Sequence, residues 1–543
     1  MEEFDRKVIP IWDSSIMAAT LAENSSTRNT ADPVVLGNET PRLIDELAHS
    51  QAIGAAVELL NAAKLERHRE GMIIASRRIL TEGDLPQPVL AMARIALAEE
   101  SDEFQPQVSG RARIHDLRRR LRSNPRNTLA WVDMSREYLI LGLGEPAARA
   151  MSIALGLAGG HRWVTRVASR LFVHLEDFDR SHALLSKHPA VKNDPWIASA
   201  ELAVCQLLEQ PSKNIVAAKR LLEQRFHPRH TSELASSLGT LEIESGAIKK
   251  AKAYIRASLL DPNRNSLAQA VWAEQAHDIK FASHSAVQGL DIAYEAKAWE
   301  NYIRGEIQPA IENCKAWYDS EPYSSQPPIL AGYLAALDDR YDEIIATATR
   351  GLVTSPGNPT LKLNKAYGEM AKIDPINPTE SDTRKVAGWV TLFQEHMKVD
   401  RYHAAHALAN MGMLCYRLGV LDKGREYYEK AEKICTAERF NTQLMCVIYH
   451  AREAMLARAS WAGELLEKAR QASIKHADHG KEAAVAYLDK LNALQANPDN
   501  YLGIFKLERP IAARQTPSID RIAFANSIQQ GLTFYLPEDF KRF

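Results

Sequence analysis

Cysteine is scarce in this 543-residue chain: there are five, an odd number, and no pair shows Cys-x-x-Cys spacing. That excludes the dense disulfide framework of a small secreted domain and points to a reducing, cytoplasmic setting. No stretch approaches the roughly 20 consecutive apolar residues that cross a bilayer. The N-terminus MEEFDRKVIPIWDSS opens on charges, not on the apolar core of a signal peptide, so no membrane partner is expected. An excess of one charge sign is also missing. Lys and Arg number 67 against 68 Asp and Glu, a net charge of -1; this argues against a globally basic nucleic-acid coat and leaves room only for a local patch. The sequence has no G-x-x-x-x-G-K-[ST] loop, no H-E-x-x-H and no G-x-S-x-G. The glycines of GLGEP at 142–146 and GLAGG at 156–160 have no strand before them and no phosphate-binding lysine after; they read as helix turns. Acidic pairs such as Glu242/Glu244 and Asp338/Asp339 have no convergent base in the sequence and are expected on solvated helix faces or loops. No catalytic residue, cofactor or metal is expected, and the chain is read as a non-enzyme.

What is present is helical periodicity. A chain of this length exceeds one ordinary hydrophobic core, so it forms several domains or a solenoid that grows by repeating units. At 45% hydrophobic and 25% charged residues, the composition is that of a folded protein. Trp131, Trp163 and Trp196 follow one another at intervals of 32 and 33 residues. In the first of these units Trp131, Met134 and Tyr138 recur at helical spacing, and so do Ala147, Met151 and Ala154 after a turn at Gly142 to Pro146. Two amphipathic helices result, the alanines of the second allowing close approach to the first while Trp131 and Tyr138 fill the wider gaps. The repeated tryptophans are expected to be packing residues.

These residues resemble the tetratricopeptide repeat. The 131–154 unit matches with Trp131, Tyr138, Gly142, Ala147 and Ala154, although Met134-Ser135 stands in place of Leu-Gly. Leu238-Gly239, Gly246, Ala251 and Pro262 mark another copy, and Gly305, Ala310, Cys314 and Pro322 the next. Gly332, Tyr341 and Pro356 follow, then Leu408, Met411-Gly412, Gly419, Tyr428 and Ala431. Gly424 departs from the family's Ala, and the segment from Asn358 to Lys385 carries only scattered matches. The recurrence, near 34 residues, covers 124–360 and 403–470. The resemblance implies an all-α fold: a right-handed TPR-like α-solenoid of antiparallel helix pairs with non-repeat terminal segments. It extends to bacterial tetratricopeptide-repeat proteins, whose likeness implies a non-catalytic scaffold subunit beside an enzyme, as in a stress or phage-defence complex.

The expected organisation is an N-terminal extension over 1–42, in which KVIPIW reads as a short strand or a docking peptide, then helical hairpins and a basic helix over 43–123. A TPR-like solenoid follows over 124–373, a break or linker helix over 374–402 and a C-terminal stack over 403–495. An irregular tail over 496–543 carries a short helix near 519–530.

In the family, the first helix of each pair lines the concave groove. Projecting the register places Arg136, Leu139, Ile140, Trp299, Tyr302, Tyr333, Met413, Tyr416 and Arg417 on a protein-binding surface, where aromatic area and arginine hydrogen bonds anchor a partner. His406 falls near the start of a repeat helix, facing the groove. With His396, His403 and Cys415 it is assigned a structural or surface role; two histidines three apart do not by themselves make a metal site. The alternative surface is nucleic-acid-binding. Arg111, Arg113, Arg118, Arg119, Arg120, Arg122 and Arg126 form a basic stripe accompanied by one acid, Asp116, and arginine forks suit phosphate or an acidic protein partner. Ile114, Leu117 and Leu121 give the same helix a core face. The partner favoured is another protein, such as an enzyme subunit; nucleic acid comes second, and self-association is left open.

Overall fold

The computed structural model describes residues 6–12 and 39–507, apart from 51, 67, 83–84, 101–105, 225, 278–283, 291, 375–379, 439–441 and 476–480. Every regular element among them is helical. The short helix expected near 519–530 lies outside the described residues. The chain divides into two units: Ile9–Val191, and Lys192–Phe543 together with Met1–Val8. The boundary thus falls inside the stretch expected as one solenoid over 124–373. No described helix is long and apolar enough to cross a membrane.

In the smaller unit, helices from Glu39–Ser50 to Phe178–Ser186 pack each against the next. Its first core joins Leu43, Leu47, Leu59, Leu60 and Ile79. A second joins Leu117, Leu121, Met134 and Ala150, with Trp131 and Tyr138 packed against it. Pro106–Ser123 therefore turns its Leu face inward and its arginines outward, as its amphipathic pattern requires.

The larger unit runs from Pro195–Leu207 to Tyr501–Ile504. Long helices pack on their neighbours in sequence, and the first helices of successive pairs also pack together: Pro228–Glu244 on Arg264–His277, Gln326–Leu337 on Pro359–Ala371, Arg401–Arg417 on Gln443–Leu456. That is the solenoid pattern of antiparallel pairs, each covering its neighbour's apolar face. Several starts follow from local chemistry. Asp194 and Asn358 cap helices whose first residues are Pro195 and Pro359, accepting from Trp196 and Leu361 amides at 2.9 Å each. A proline there loses no helical hydrogen bond.

The hairpin turns share one device. Gly142, Glu176, Glu209, Gly246, Gly305, Asp339, Gly419 and Arg458 all have positive φ, between 52° and 80°. After each, the next amide donates back to a carbonyl of the preceding helix, as Leu143 does to Tyr138 and Arg340 to Ala335. This left-handed cap closes the first helix of these eight pairs. Glycine alone fits it without strain, yet four of the eight residues are not glycine.

The tryptophans pack as expected. Trp163 and Trp196 are buried, while Trp131 is half-buried and donates from Nε1 to the Pro125 carbonyl at 2.9 Å.

Candidate protein-binding site

Six successive first helices of the larger unit present one face each to a common cavity of about 150 Å3. Arg264–His277 contributes Trp272, and Tyr294–Ile303 contributes Trp299 and Tyr302. Gln326–Leu337 gives Ile329, Tyr333 and Ala336; Pro359–Ala371 gives Thr360, Asn364 and Tyr367. Tyr402, His406 and Ala409 follow from Arg401–Arg417, and Met445, Cys446 and Tyr449 from Gln443–Leu456. Apart from the adjacent Met445 and Cys446, the positions named within a helix lie three or four apart, so each helix turns one side to the cavity.

The lining is aromatic and mutually supported. Trp299 meets Tyr302 edge-on at 6.1 Å, and Tyr302 meets Tyr333 at 5.8 Å, their hydroxyls 3.1 Å apart. Tyr367 lies 6.0 Å from Tyr449. Both are held from behind by the buried Arg452, whose guanidinium sits 4.5 Å from the Tyr449 ring and donates to the Tyr367 hydroxyl at 3.0 Å. Two polar atoms on the wall, Tyr449 Oη and His406 Nδ1, have no hydrogen-bond partner among the described residues. Burial first, and the neighbouring His403 second, push the His406 imidazole down to about 4, so at neutral pH it presents a neutral ring. A cavity with large apolar walls and a few orienting polar atoms is what a recognition site requires.

Arg452 belongs to a buried ionic cluster that fixes these helices. It pairs with Glu453 at 2.7 Å, and Glu453 accepts from Arg417 at 2.7 and 3.1 Å. Arg417 also donates to the Ile373 carbonyl at 2.7 Å. Burial alone would raise the Glu453 carboxyl, but the Arg417 and Arg452 guanidinia hold it below the usual carboxylate range. Asp339 accepts from the Tyr487 hydroxyl at 2.6 Å and from Lys490 at 2.7 Å. The expectation of a solvated Asp338/Asp339 pair is thereby corrected for Asp339, whose side chain is fully buried: two helices converge on the turn that carries it.

Of the residues projected onto a binding surface, Trp299, Tyr302 and Tyr333 come together in this cavity, the first two largely buried and Tyr333 half-buried. Met413, Tyr416 and Arg417 do not face it. They are 0%, 1% and 1% exposed, and the projection of these three is corrected. Arg401–Arg417 is buried nearly all round, so its late residues point into neighbouring helices. Tyr416 bonds His450 Nε2 at 3.1 Å and accepts from Trp461 Nε1 at 3.0 Å, while Arg417 serves the ionic cluster. In the smaller unit Leu139 and Ile140 are 1% exposed, which corrects them too: at the end of a first helix, large aliphatic side chains pack inward. Arg136 is half-buried beside Glu137, 3.6 Å away.

The arginine stripe is an exposed helix face. Arg111, Arg118, Arg119, Arg120, Arg122 and Arg126 are exposed. Arg118 donates to the Tyr138 hydroxyl at 2.9 Å, and Arg119 and Arg120 each reach Asp116 at 2.7 Å. Arg113 leaves the stripe: it is half-buried and donates to Glu137 at 2.8 Å.

His403 binds Asp400 through Nδ1 at 2.6 Å and the Thr360 hydroxyl through Nε2 at 3.1 Å, which occupies both ring nitrogens. The projection missed Asn364, Tyr367, Tyr402 and Tyr449. Thr360, Asn364 and Tyr367 fall in the stretch with few family matches, and their signal was the 360/364/367 spacing.

No family model matches the sequence, and no match is found among curated proteins. Solved structures similar to the chain include the crystal structure of the yeast Tom70, at 12% identity over 88% of this chain and 99% of that one, with a TM-score of 0.31. The structure of Naa15/Naa10 bound to HypK-THB is similar at 11% identity over 93% of this chain and 91% of that one, with a TM-score of 0.25. The fold assignment rests on the helix pairing itself.

Proposed function

We propose that this chain is a non-catalytic scaffold that binds another protein along the aromatic face of its larger unit. The observation that carries this reading is the largely aromatic wall shared by six successive helices, on which Tyr449 Oη and His406 Nδ1 have no hydrogen-bond partner among the described residues. Aromatic rings offer large contact area at small entropy cost, and polar atoms among them orient a partner. The biological setting proposed is a cytoplasmic complex of the bacterial stress or phage-defence kind, with an enzyme subunit as partner; it is supported only by the sequence resemblance.

The test is affinity capture from the native host with the wild-type chain and a Tyr333→Ala/Tyr449→Phe double variant, with folding followed by circular dichroism. The expected result is a defined partner that the folded double variant captures at least tenfold less well, the loss of two interface anchors of about 1–2 kcal/mol each. Equal capture by both proteins would move the partner surface elsewhere.

A second reading rests on the exposed arginines of Pro106–Ser123. There the smaller unit would contact nucleic-acid phosphate, and binding would fall with rising salt.

A further inference from the structure

The aromatic face has a polar continuation, and the chain's own N-terminal segment occupies it. Arg6 Nε and one terminal nitrogen donate to the two carboxylate oxygens of Glu295 at 2.6 and 2.9 Å. Its remaining donors reach Gln269 Oε1 and Asn265 Oδ1, both at 2.8 Å. Gln269 Nε2 donates back to the Arg6 carbonyl at 2.8 Å, so one side chain reads both the guanidinium and the backbone. Lys7 pairs with Glu244, and Val8 is completely buried.

This cradle shares helix faces with the cavity. On Arg264–His277, Asn265 and Gln269 precede Trp272 by seven and three residues; on Tyr294–Ile303, Glu295 precedes Trp299 and Tyr302 by four and seven. Those spacings are the near-vertical rows of a helix surface, so cradle and cavity lie along the same stripes.

The chemistry of the cradle is selective. Asn265 and Gln269 are 1% and 0% exposed, and the Glu295 carboxylate stands beside them. The site thus presents one carboxylate and two amide oxygens to the guanidinium. A planar fork of N–H groups satisfies all three at once, whereas the compact ammonium of lysine does not span them. Residues 6–12 carry no regular structure, and Arg6 to Val8 are held by side-chain and carbonyl contacts.

We propose that the Asn265/Gln269/Glu295 cradle is the docking subsite for an arginine of an extended partner segment of the form Arg-Lys-aliphatic, and that Arg6–Val8 is an intramolecular stand-in which such a partner displaces. This rests on the scaffold reading of the same face and adds to it the chemistry of the ligand and a built-in competitor. A tethered competitor acts at an effective concentration set by its tether, so it weakens any partner weaker than itself and lets through one that binds more tightly.

The test uses a fluorescent peptide carrying residues 3–12, EFDRKVIPIW, titrated by anisotropy into the wild-type chain, into a chain lacking residues 1–12 and into the full-length Arg6→Ala variant. Both altered chains are expected to bind it at least about tenfold more tightly than wild type. Glu295→Gln in the truncated background, or alanine at the peptide's arginine, should abolish that binding. Equal affinity for all three chains, or binding indifferent to the arginine, overturns the proposal. Loss of helical signal in both altered chains also overturns it, because the segment is then a structural strut. A dimer formed by the wild-type chain and abolished by Glu295→Gln would put a second copy's segment in the cradle and overturn the partner assignment. Partner capture that is lost in the Tyr333→Ala/Tyr449→Phe variant while the peptide fails on every chain leaves the scaffold standing without the cradle.

Discussion

Tyr416 and Arg417 show how little a residue type says about its role. An aromatic beside an arginine, late in a first helix, looks like an interface anchor, yet both are shut inside the larger unit. Removing Arg417 leaves Glu453 with Arg452 as its remaining cation and takes the donor from the Ile373 carbonyl; Arg417→Ala is expected to cost about 3–5 kcal/mol in a denaturant melt, the usual result of removing one member of a buried ionic cluster. Tyr416→Ala should cost a similar amount, about 3–5 kcal/mol, by leaving a cavity, and an unchanged melting curve would return Tyr416 to the surface. His406 makes the pH prediction. Burial holds its folded value at about 4 against an ordinary 6.5, and His174 is lowered to about 4 by burial and then by Arg170. Between those values the unfolded chain holds protons that the folded chain does not. Stability is therefore complete above 6.5 and lost as pH falls toward 4, by at most about 1.4 kcal/mol per pH unit per group. Melts from pH 7 to pH 5 should fall more steeply for wild type than for His406→Gln, and parallel slopes would remove His406 from the account.

At the scale of the helix pair, the departures from the repeat consensus have physical causes. The family's alanine is glycine at 424 because a Cβ there would lie 2.8 Å from Tyr416 Cδ2 and 3.0 Å from Cε2. Gly412 is held the same way, its Cβ position 2.6 Å from Tyr428 Cδ2. Restoring the consensus with Gly424→Ala should thus destabilise by about 1–3 kcal/mol through overpacking. Gly388 is exposed within Glu380–His396, and a Cβ there would meet nothing within 4 Å. Gly388→Ala should stabilise by about 0.5–1 kcal/mol, and thermal melts of the two variants should shift in opposite directions. The turns divide similarly. Gly142, Gly246, Gly305 and Gly419 announce the left-handed cap in the sequence, while Glu176, Glu209, Asp339 and Arg458 adopt it silently.

At the scale of the larger unit, contacts between distant parts of the chain hold the site. Asp339 is 148 residues from Tyr487 and 151 from Lys490, yet accepts from both, and Tyr487 also accepts from Arg452 at 2.8 Å. The helix Lys481–Ala496 therefore acts on the turn between Gln326–Leu337 and Tyr341–Thr354. Truncation before Lys481 should raise amide exchange in Tyr341–Thr354, far upstream of the cut; unchanged protection there would show that the cluster is dispensable. For the smaller unit, charge reversal at Arg118, Arg119 and Arg120 should reduce any nucleic-acid binding and flatten its salt dependence by about one phosphate contact per arginine lost. Equal binding by the reversed and wild-type chains would reject that face.

The sequence by itself determined the helices, their pairing and the packing role of the tryptophans, because apolar spacing, Asn-Pro and Asp-Pro caps and turn glycines are local signals. It left KVIPIW open between a short strand and a docking peptide. The inward turn of Tyr416 and Arg417, the burial of Asp339, the aromatic wall from Tyr302 to Tyr449 and the arginine cradle were decided only by tertiary structure. Each depends on side chains from helices tens to hundreds of residues apart meeting at one place, and a period read along a single helix fixes which residues share a face but not what that face meets.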